Sequence, residues 1–365
     1  MKISRFLVGL FIASILGVSA NGGEPKVRII SELDGFEPFE AHLFHASHLW
    51  VGRSRKDLAA FYRLEIFDRH GKMVVSKELQ HSLRYIHPYE SNSVIIVGIG
   101  LDQLSHYTIA TLNGSNVSLV HRTIPVTALA DRWAGSPGRF YFTDPGGYDD
   151  PAHPTPPDQP LQTLFKMDSF GPRYLKPRLA GPRESLMMGN SLYVISGPSI
   201  GTGKFLNVID IQTESLRTLI SDGKGLSHMR LLPSGKLALL EVDAARVREV
   251  DLKTKEVHSL VTTDARPSDF AIMGSCLAIG LEEQRRVQFF ELSAVSVQKV
   301  AEWDLSVAGS GFMALRNLAA DSITGNIYAR SAYPCQPFTE CLPRNSVVIA
   351  EGAGTDIKAR CHLSY

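Results

Sequence analysis

One pattern recurs seven times along this 365-residue chain and constrains its fold more tightly than any other feature. Each copy is a polar residue, a short apolar strand, a turn, and a second apolar strand. The copies open at Glu40, Arg84, Thr127, Glu184, His228, Asp269 and Phe312. Their second strands run over 49–52, 94–97, 140–142, 192–195, 237–240, 277–279 and 327–329. Successive openings lie 44, 43, 57, 44, 41 and 43 residues apart. A period near 40–45 with short strands in each unit is the signature of a β-propeller. Helical repeats of similar length do not fit, because the units are rich in β-branched residues and Gly turns and lack long apolar stripes of helical period.

Several units continue with a third and a fourth strand, as at 205–211 with 216–220 and at 247–252 with 257–261. Asp68, Asp210 and Asp251 close third strands ahead of polar turns, where a carboxylate can accept turn N–H groups. The seventh unit is short of a strand, and a spare strand stands at 27–33 near the N-terminus. Pairing the two closes the ring and removes two sheet edges. The expected fold is therefore all-β: a β-propeller of about seven four-stranded blades, with six as the alternative count, over a single domain spanning 21–365. The step of 57 is assigned to a Pro- and Gly-rich loop from Pro145 to Pro160, inserted between the second and third strands of the third blade.

Residues 1–20 read as an export signal. Lys2 and Arg5 precede a 12-residue apolar run over 6–17, and Val18, Ser19 and Ala20 supply small residues for cleavage after Ala20. Twelve residues of helix rise only about 18 Å, too short for a hydrocarbon core of about 30 Å. The expected location is secreted or periplasmic, with no membrane span. A formal net charge of +1 and no basic run argue against a nucleic-acid partner. In an oxidising compartment the four cysteines are expected to form two disulfides. Of the three possible pairings, Cys335 with Cys341 is favoured because they flank a short loop, leaving Cys276 with Cys361.

The repeat register also yields a candidate site. The first strand of each blade lines the central channel, and its opening residue stands near one mouth. Glu40, Arg84, Thr127, Glu184, His228 and Asp269 are the expected channel-mouth residues. Within them, Glu40, Glu184, His228 and Asp269 form a set able to hold a divalent cation such as Ca²⁺. The alternative is a solvated funnel with no cofactor, in which Arg84 neutralises carboxylates.

The stretch Arg139-Phe-Tyr-Phe-Thr-Asp-Pro-Gly146 resembles the "YFTDP" strand of the gluconolactonase-like propellers, the family that includes senescence marker protein. Gly181-Pro-Arg-Glu-Ser-Leu186 with Asn190-Ser-Leu-Tyr-Val194 is similar to that family's "PNG…LYV" segment, and Glu37 precedes 49–51 where its metal-binding Glu is expected. The resemblance covers about the first two-thirds of the chain and extends to the related NHL and YVTN propellers. It implies a divalent metal held by a Glu, Asn side chains and an Asp at successive blade starts. Here only Glu37 or Glu40 matches. Thr127 and either Arg183 or Glu184 stand at the Asn positions, and His228 lies near the Asp position. The family usually has six blades, against seven repeats counted here.

Other motifs carry less. Gly197 to Gly203 lacks the Lys-Ser/Thr ending of a phosphate loop, and no Gly-x-Ser-x-Gly elbow occurs. Asp149, Asp150 and His153 read as a solvated loop, and Asn113 and Asn116 match short glycan-acceptor motifs. The expected function is a monomeric exported module that binds a small molecule or protein at one face of the channel. The alternative is a metal-dependent lactonase-type hydrolase.

Overall fold

The computed structural model describes residues 23–34, 42–54, 62–102, 104–124, 133–136, 139–144, 163–168, 171–179, 181–197, 203–282, 284–293, 296–306, 314–332, 344–353 and 355–363. Over these residues the chain forms 28 strands, numbered β1 to β28 in order, in seven antiparallel four-stranded sheets. Six sheets each use four consecutive strands; the seventh has the order β1-β28-β27-β26. The seven-bladed propeller expected from the repeat is therefore present, and the six-blade alternative is not.

Ring closure also follows the expectation. β1 (Lys26–Asp34) pairs antiparallel with β28 (Arg344–Glu351), from Lys26 opposite Glu351 to Asp34 opposite Arg344. One sheet thus contains both ends of the repeat region. Arg28 Nε donates to Glu351 Oε1 at 3.0 Å across that pair.

Each junction between neighbouring blades has its own apolar cluster. Trp50, Leu64, Ile86 and Ile96 fill the junction of blades one and two, and Leu49, Val51, Tyr328 and Ile349 that of blades seven and one. Blade six meets blade seven through Phe289, Trp303, Ile327 and Val348. Second strands supply residues to both of their junctions, which is why they read as unbroken apolar runs: all of Leu237–Glu241 and Cys276–Leu281 is buried.

The polar turns behave as their sequence implies. Asp210 Oδ1 accepts the backbone N–H groups of Gln212 and Thr213, both at 2.9 Å, and Asp251 Oδ1 accepts those of Lys253 and Thr254 at 2.8 and 3.1 Å. Asp68 accepts from His70 and Lys72 in the same way. These bonds hold the Asp210 and Asp251 carboxyls below the usual aspartate range.

Among the described residues the inner strand of blade three is β10 (Trp133–Ser136) and that of blade seven is β26 (Ala314–Ala320). In blade three Trp133 stands opposite Phe142, both buried, as an aromatic cross-strand pair. Thr127, Phe312, Glu37 and Glu40 lie outside the described residues, as does the loop from Pro145 to Pro160. The break that this loop spans does fall between β11 (Arg139–Asp144) and β12 (Thr163–Asp168), as expected.

The Cys276–Cys361 disulfide is formed; Cys335 and Cys341 lie outside the described residues. The bond anchors the short helix Ile357–Arg360 and the residues after it against blades six and seven. Gly274 makes the approach possible: at φ +58° it is in the left-handed region, and a Cβ there would lie 2.2 Å from the Cys361 carbonyl oxygen. Among the described residues no helix is long and apolar enough to cross a membrane. Replacing both Cys276 and Cys361 with Ser is expected to cost about 2–5 kcal/mol of stability. Urea unfolding of this variant against the oxidised protein reads the loss directly, and an unchanged midpoint would show that the tail is anchored without the bond.

Candidate functional site

Three of the expected mouth residues converge. Glu184 lies on β14 (Pro182–Met188), His228 on β18 (Leu226–Leu231) and Asp269 on β22 (Pro267–Met273), the inner strands of blades four, five and six. Each sits third in its strand rather than first. Pairing with the next strand slips at the same place in every case: between Pro182 and Ser185, between Leu226 and Met229, and between Pro267 and Asp269. A β-bulge re-aims the side chains at the break in the ladder. Here it turns a carboxylate, an imidazole and a second carboxylate toward one another along the channel wall.

The links run from blade to blade. Glu184 Oε1 accepts the Met229 backbone N–H at 2.8 Å and Arg230 at 2.9 Å, while Glu184 Oε2 accepts His228 Nδ1–H at 3.0 Å. One blade further on, Asp269 Oδ1 accepts its neighbour Phe270 N–H at 2.7 Å, and Asp269 Oδ2 accepts the Leu318 N–H of blade seven at 2.8 Å. The two carboxylates repeat one role: each clamps the backbone N–H of a bulged inner strand in the following blade. This places Asn317, next to Leu318, as the blade-seven counterpart of His228. β26 also slips at this point, between Leu315 and Asn317.

His228 stands between both acids, 3.0 Å from Glu184 and 3.8 Å from Asp269. Burial disfavours its charge, but Asp269 and Glu184 together outweigh that penalty and Arg230, so its pKa lies above the ordinary histidine value. Arg230 bridges the same carboxylates, at 2.9 Å to Glu184 and 3.7 Å to Asp269, with its guanidinium 5.7 Å from the Phe270 ring centroid. Its side chain is 36% exposed, whereas those of Glu184 and Asp269 are 8% and 3% exposed. Arg230 is the exposed member of the cluster, and His228, at 11%, is buried with the two acids.

The donor set does not suit a divalent cation. Glu184 and Asp269 spend their oxygens on N–H groups, and a guanidinium already bridges them. Among the described residues no group of three or more His, Cys, Asp or Glu is arranged to hold a metal ion. Arg84, immediately before β6 (Tyr85–Glu90), is half-buried, and none of the site contacts given above links it to the three-blade cluster.

Arg230 and Asn317 were not among the sequence candidates. Arg230 was visible only as the second residue after His228, a spacing that points both side chains to one face of a strand. Asn317 stands five residues beyond the position, Phe312, that the repeat picked in blade seven.

No family model matches the chain, and no curated protein matches it. Solved structures do share its fold. Virginiamycin B lyase from Staphylococcus aureus aligns with a TM-score of 0.55 and 12% identity over 88% of this chain and 99% of that one. A streptogramin B lyase aligns with a TM-score of 0.56 and 12% identity over 88% and 97% of the two chains. A puromycin hydrolase aligns with a TM-score of 0.59 and 12% identity over 88% of this chain and 53% of that one. These likenesses define the class, a seven-bladed β-propeller. They do not extend the resemblance to the gluconolactonase-like family.

Two results are expected from this geometry. Glu184→Ala strips the clamp from the Met229 N–H and leaves His228 and Arg230 with one acid fewer, at a cost of about 3–5 kcal/mol in urea unfolding. His228 also makes stability depend on pH. Because its folded pKa is raised, its contribution is complete below the unfolded value of about 6.5 and is lost as pH climbs through the higher folded value. His228→Gln should flatten that decline, and an equal decline in wild type and variant would remove His228 as its source.

Proposed function

We propose that this propeller is an exported module that binds a small anionic ligand, a carboxylate or phosphate, at the mouth where blades four to six meet. The observation that carries this reading is the layering of charge. A ligand entering the channel meets the half-exposed Arg230 guanidinium, while His228, Glu184 and Asp269 lie buried behind it and hold it in place. An Arg fork of this kind suits a planar or tetrahedral anion. Export of the chain, through cleavage of residues 1–20, belongs to the same reading.

The second reading is a metal-dependent hydrolase of the lactonase type. It is favoured by the meeting of Glu184, His228 and Asp269, three of its four expected ligands, around one imidazole. It requires Arg230 to leave the carboxylates so that a cation can enter. The lyases and the hydrolase that share the fold give it a precedent in architecture alone.

Thermal melts with succinate, inorganic phosphate or Ca²⁺ separate the two. The anion reading expects a saturable rise in melting temperature with succinate or phosphate, little change with Ca²⁺, and loss of the anion effect in Arg230→Gln. A stoichiometric Ca²⁺-dependent rise, with no anion effect, would reverse the order of the readings.

A further inference from the structure

A second set of titratable side chains lies on blade two, outside the site above. It involves the segment leading in from blade one, β8 (Ser105–Asn113) and β9 (Asn116–Thr123). Five side chains form one hydrogen-bonded file. Asp102 Oδ1 meets His106 Nε2 at 2.8 Å, and His106 Nδ1 meets His121 Nε2 at 3.1 Å. His121 Nδ1 meets Thr108 Oγ1 at 3.2 Å, Thr108 Oγ1 meets His81 Nε2 at 2.7 Å, and His81 Nδ1 meets the Ser82 carbonyl at 2.6 Å.

Both ends of the file are acceptors, and that fixes the direction of every bond. The Ser82 carbonyl can only accept, so His81 carries its hydrogen on Nδ1 and presents a bare Nε2. Thr108 must then donate to His81, and its oxygen accepts from His121 Nδ1–H. His121 is left with a bare Nε2. At the other end the Asp102 carboxylate accepts from His106 Nε2–H. If His106 is neutral, its Nδ1 is bare as well; the Thr123 hydroxyl, 3.3 Å away, can donate to it, but the bare His121 Nε2 still faces it lone pair to lone pair across 3.1 Å. One proton on His106 Nδ1 resolves the conflict. Among the described residues no group of three or more His, Cys, Asp or Glu is arranged to hold a metal ion, so a proton is the group the pair calls for.

The surroundings agree with this assignment. Burial holds His81 down at about 3, so it stays neutral. Burial, His106 and Arg122 hold His121 below its ordinary value against the opposing pull of Asp102, which makes it the acceptor of the pair. Besides these, Arg84 stands on the lead-in segment, and β5 (Met73–Leu79), which lies against β9, carries Lys77 and Glu78, both exposed. Space for the file is built into β7 (Ser93–Ile99) and the residue after it. A Cβ on Gly98 would lie 1.7 Å from the Ser82 carbonyl oxygen. One on Gly100 would lie 2.4 Å from His106 Nε2 and 2.5 Å from Asp102 Oδ1.

We propose that this file is a proton-held latch: a proton on His106, shared with His121 and backed by Asp102, fastens the crossover from blade one to the outer strands of blade two, and its loss releases that crossover. The latch closes as pH falls through the imidazole range and opens as it rises.

Hydrogen exchange on the full chain tests this between about pH 6 and 8, the range in which an imidazole titrates. The reporters are the Ser82 amide, which donates to Ile99 O at 2.9 Å, and the Ile99 amide, which donates to Ser82 Oγ at 2.8 Å. After correction for intrinsic exchange, their protection should fall by about tenfold across that range while the Leu226 amide of blade five stays constant. His121→Gln, whose amide can serve His106 in either protonation state, should abolish the fall. Asp102→Asn, a change at an exposed position, should move its midpoint down by about one pH unit. Constant protection in the wild type, or the same fall in His121→Gln, would overturn the latch. So would recovery of protection at pH 8 with one equivalent of Zn²⁺, which would make the junction a metal site.

Discussion

Pairing of β1 with β28 makes a ring out of what would otherwise be an open row of sheets. A propeller blade buries both faces against its neighbours, so the first and last blades of an open row would each leave one apolar face in water. Closing the row inside one blade joins the ends of the repeat region through ladder hydrogen bonds and the cluster of Leu49, Val51, Tyr328 and Ile349. All other positions inherit their geometry from that closure, because seven blades around one axis fix where each inner strand stands. The Cys276–Cys361 bond works on the same region from the other end of the chain, tying the tail to blades six and seven.

Closure also explains why the inner strands carry charge. Near their openings these strands bulge, and a bulge leaves backbone N–H groups without ladder partners. Glu184 and Asp269 satisfy such groups on the following blade, at Met229 and Leu318. Buried carboxylates are costly unless their lone pairs are filled, and here backbone, imidazole and guanidinium donors fill them. The cluster is thus a structural joint between blades four to seven and, through its half-exposed guanidinium, a polar surface facing the channel. Binding at the mouth and cohesion of the ring draw on the same side chains, so substitutions there affect both.

How much of this was legible in the sequence depended on the period. Blades four, five and six have steps of 44 and 41 and clear turns, and there the repeat placed Glu184, His228 and Asp269 at equivalent depths. Their common offset of two residues from the strand start left their mutual contact intact. In blades three and seven the positions the repeat picked, Thr127 and Phe312, lie outside the described residues, and the described inner strands are Trp133–Ser136 and Ala314–Ala320. One matter no one-dimensional pattern contains is which donors fill the carboxylate lone pairs, and here they are backbone, imidazole and guanidinium groups. Arg230 stands two residues from His228 in the sequence, but only the bulge shows that both reach the acids of two blades.

The two titratable centres lie toward the same face, because inner strands begin, and third strands begin, at one end of every blade. They reach opposite electrostatic outcomes from similar burial. His228 is buried between two carboxylates and keeps its proton above the ordinary range. His81 is buried with a carbonyl and a hydroxyl as its hydrogen-bond partners, and two further histidines nearby oppose its charge, so it stays neutral at any ordinary pH. The difference lies in the neighbours and not in depth. At His228 the two carboxylates favour the charged form and tie it into an inner-strand joint. On blade two, charge arrives only with one added proton between His106 and His121, so the same residue type can lock one part of the face continuously and another part conditionally.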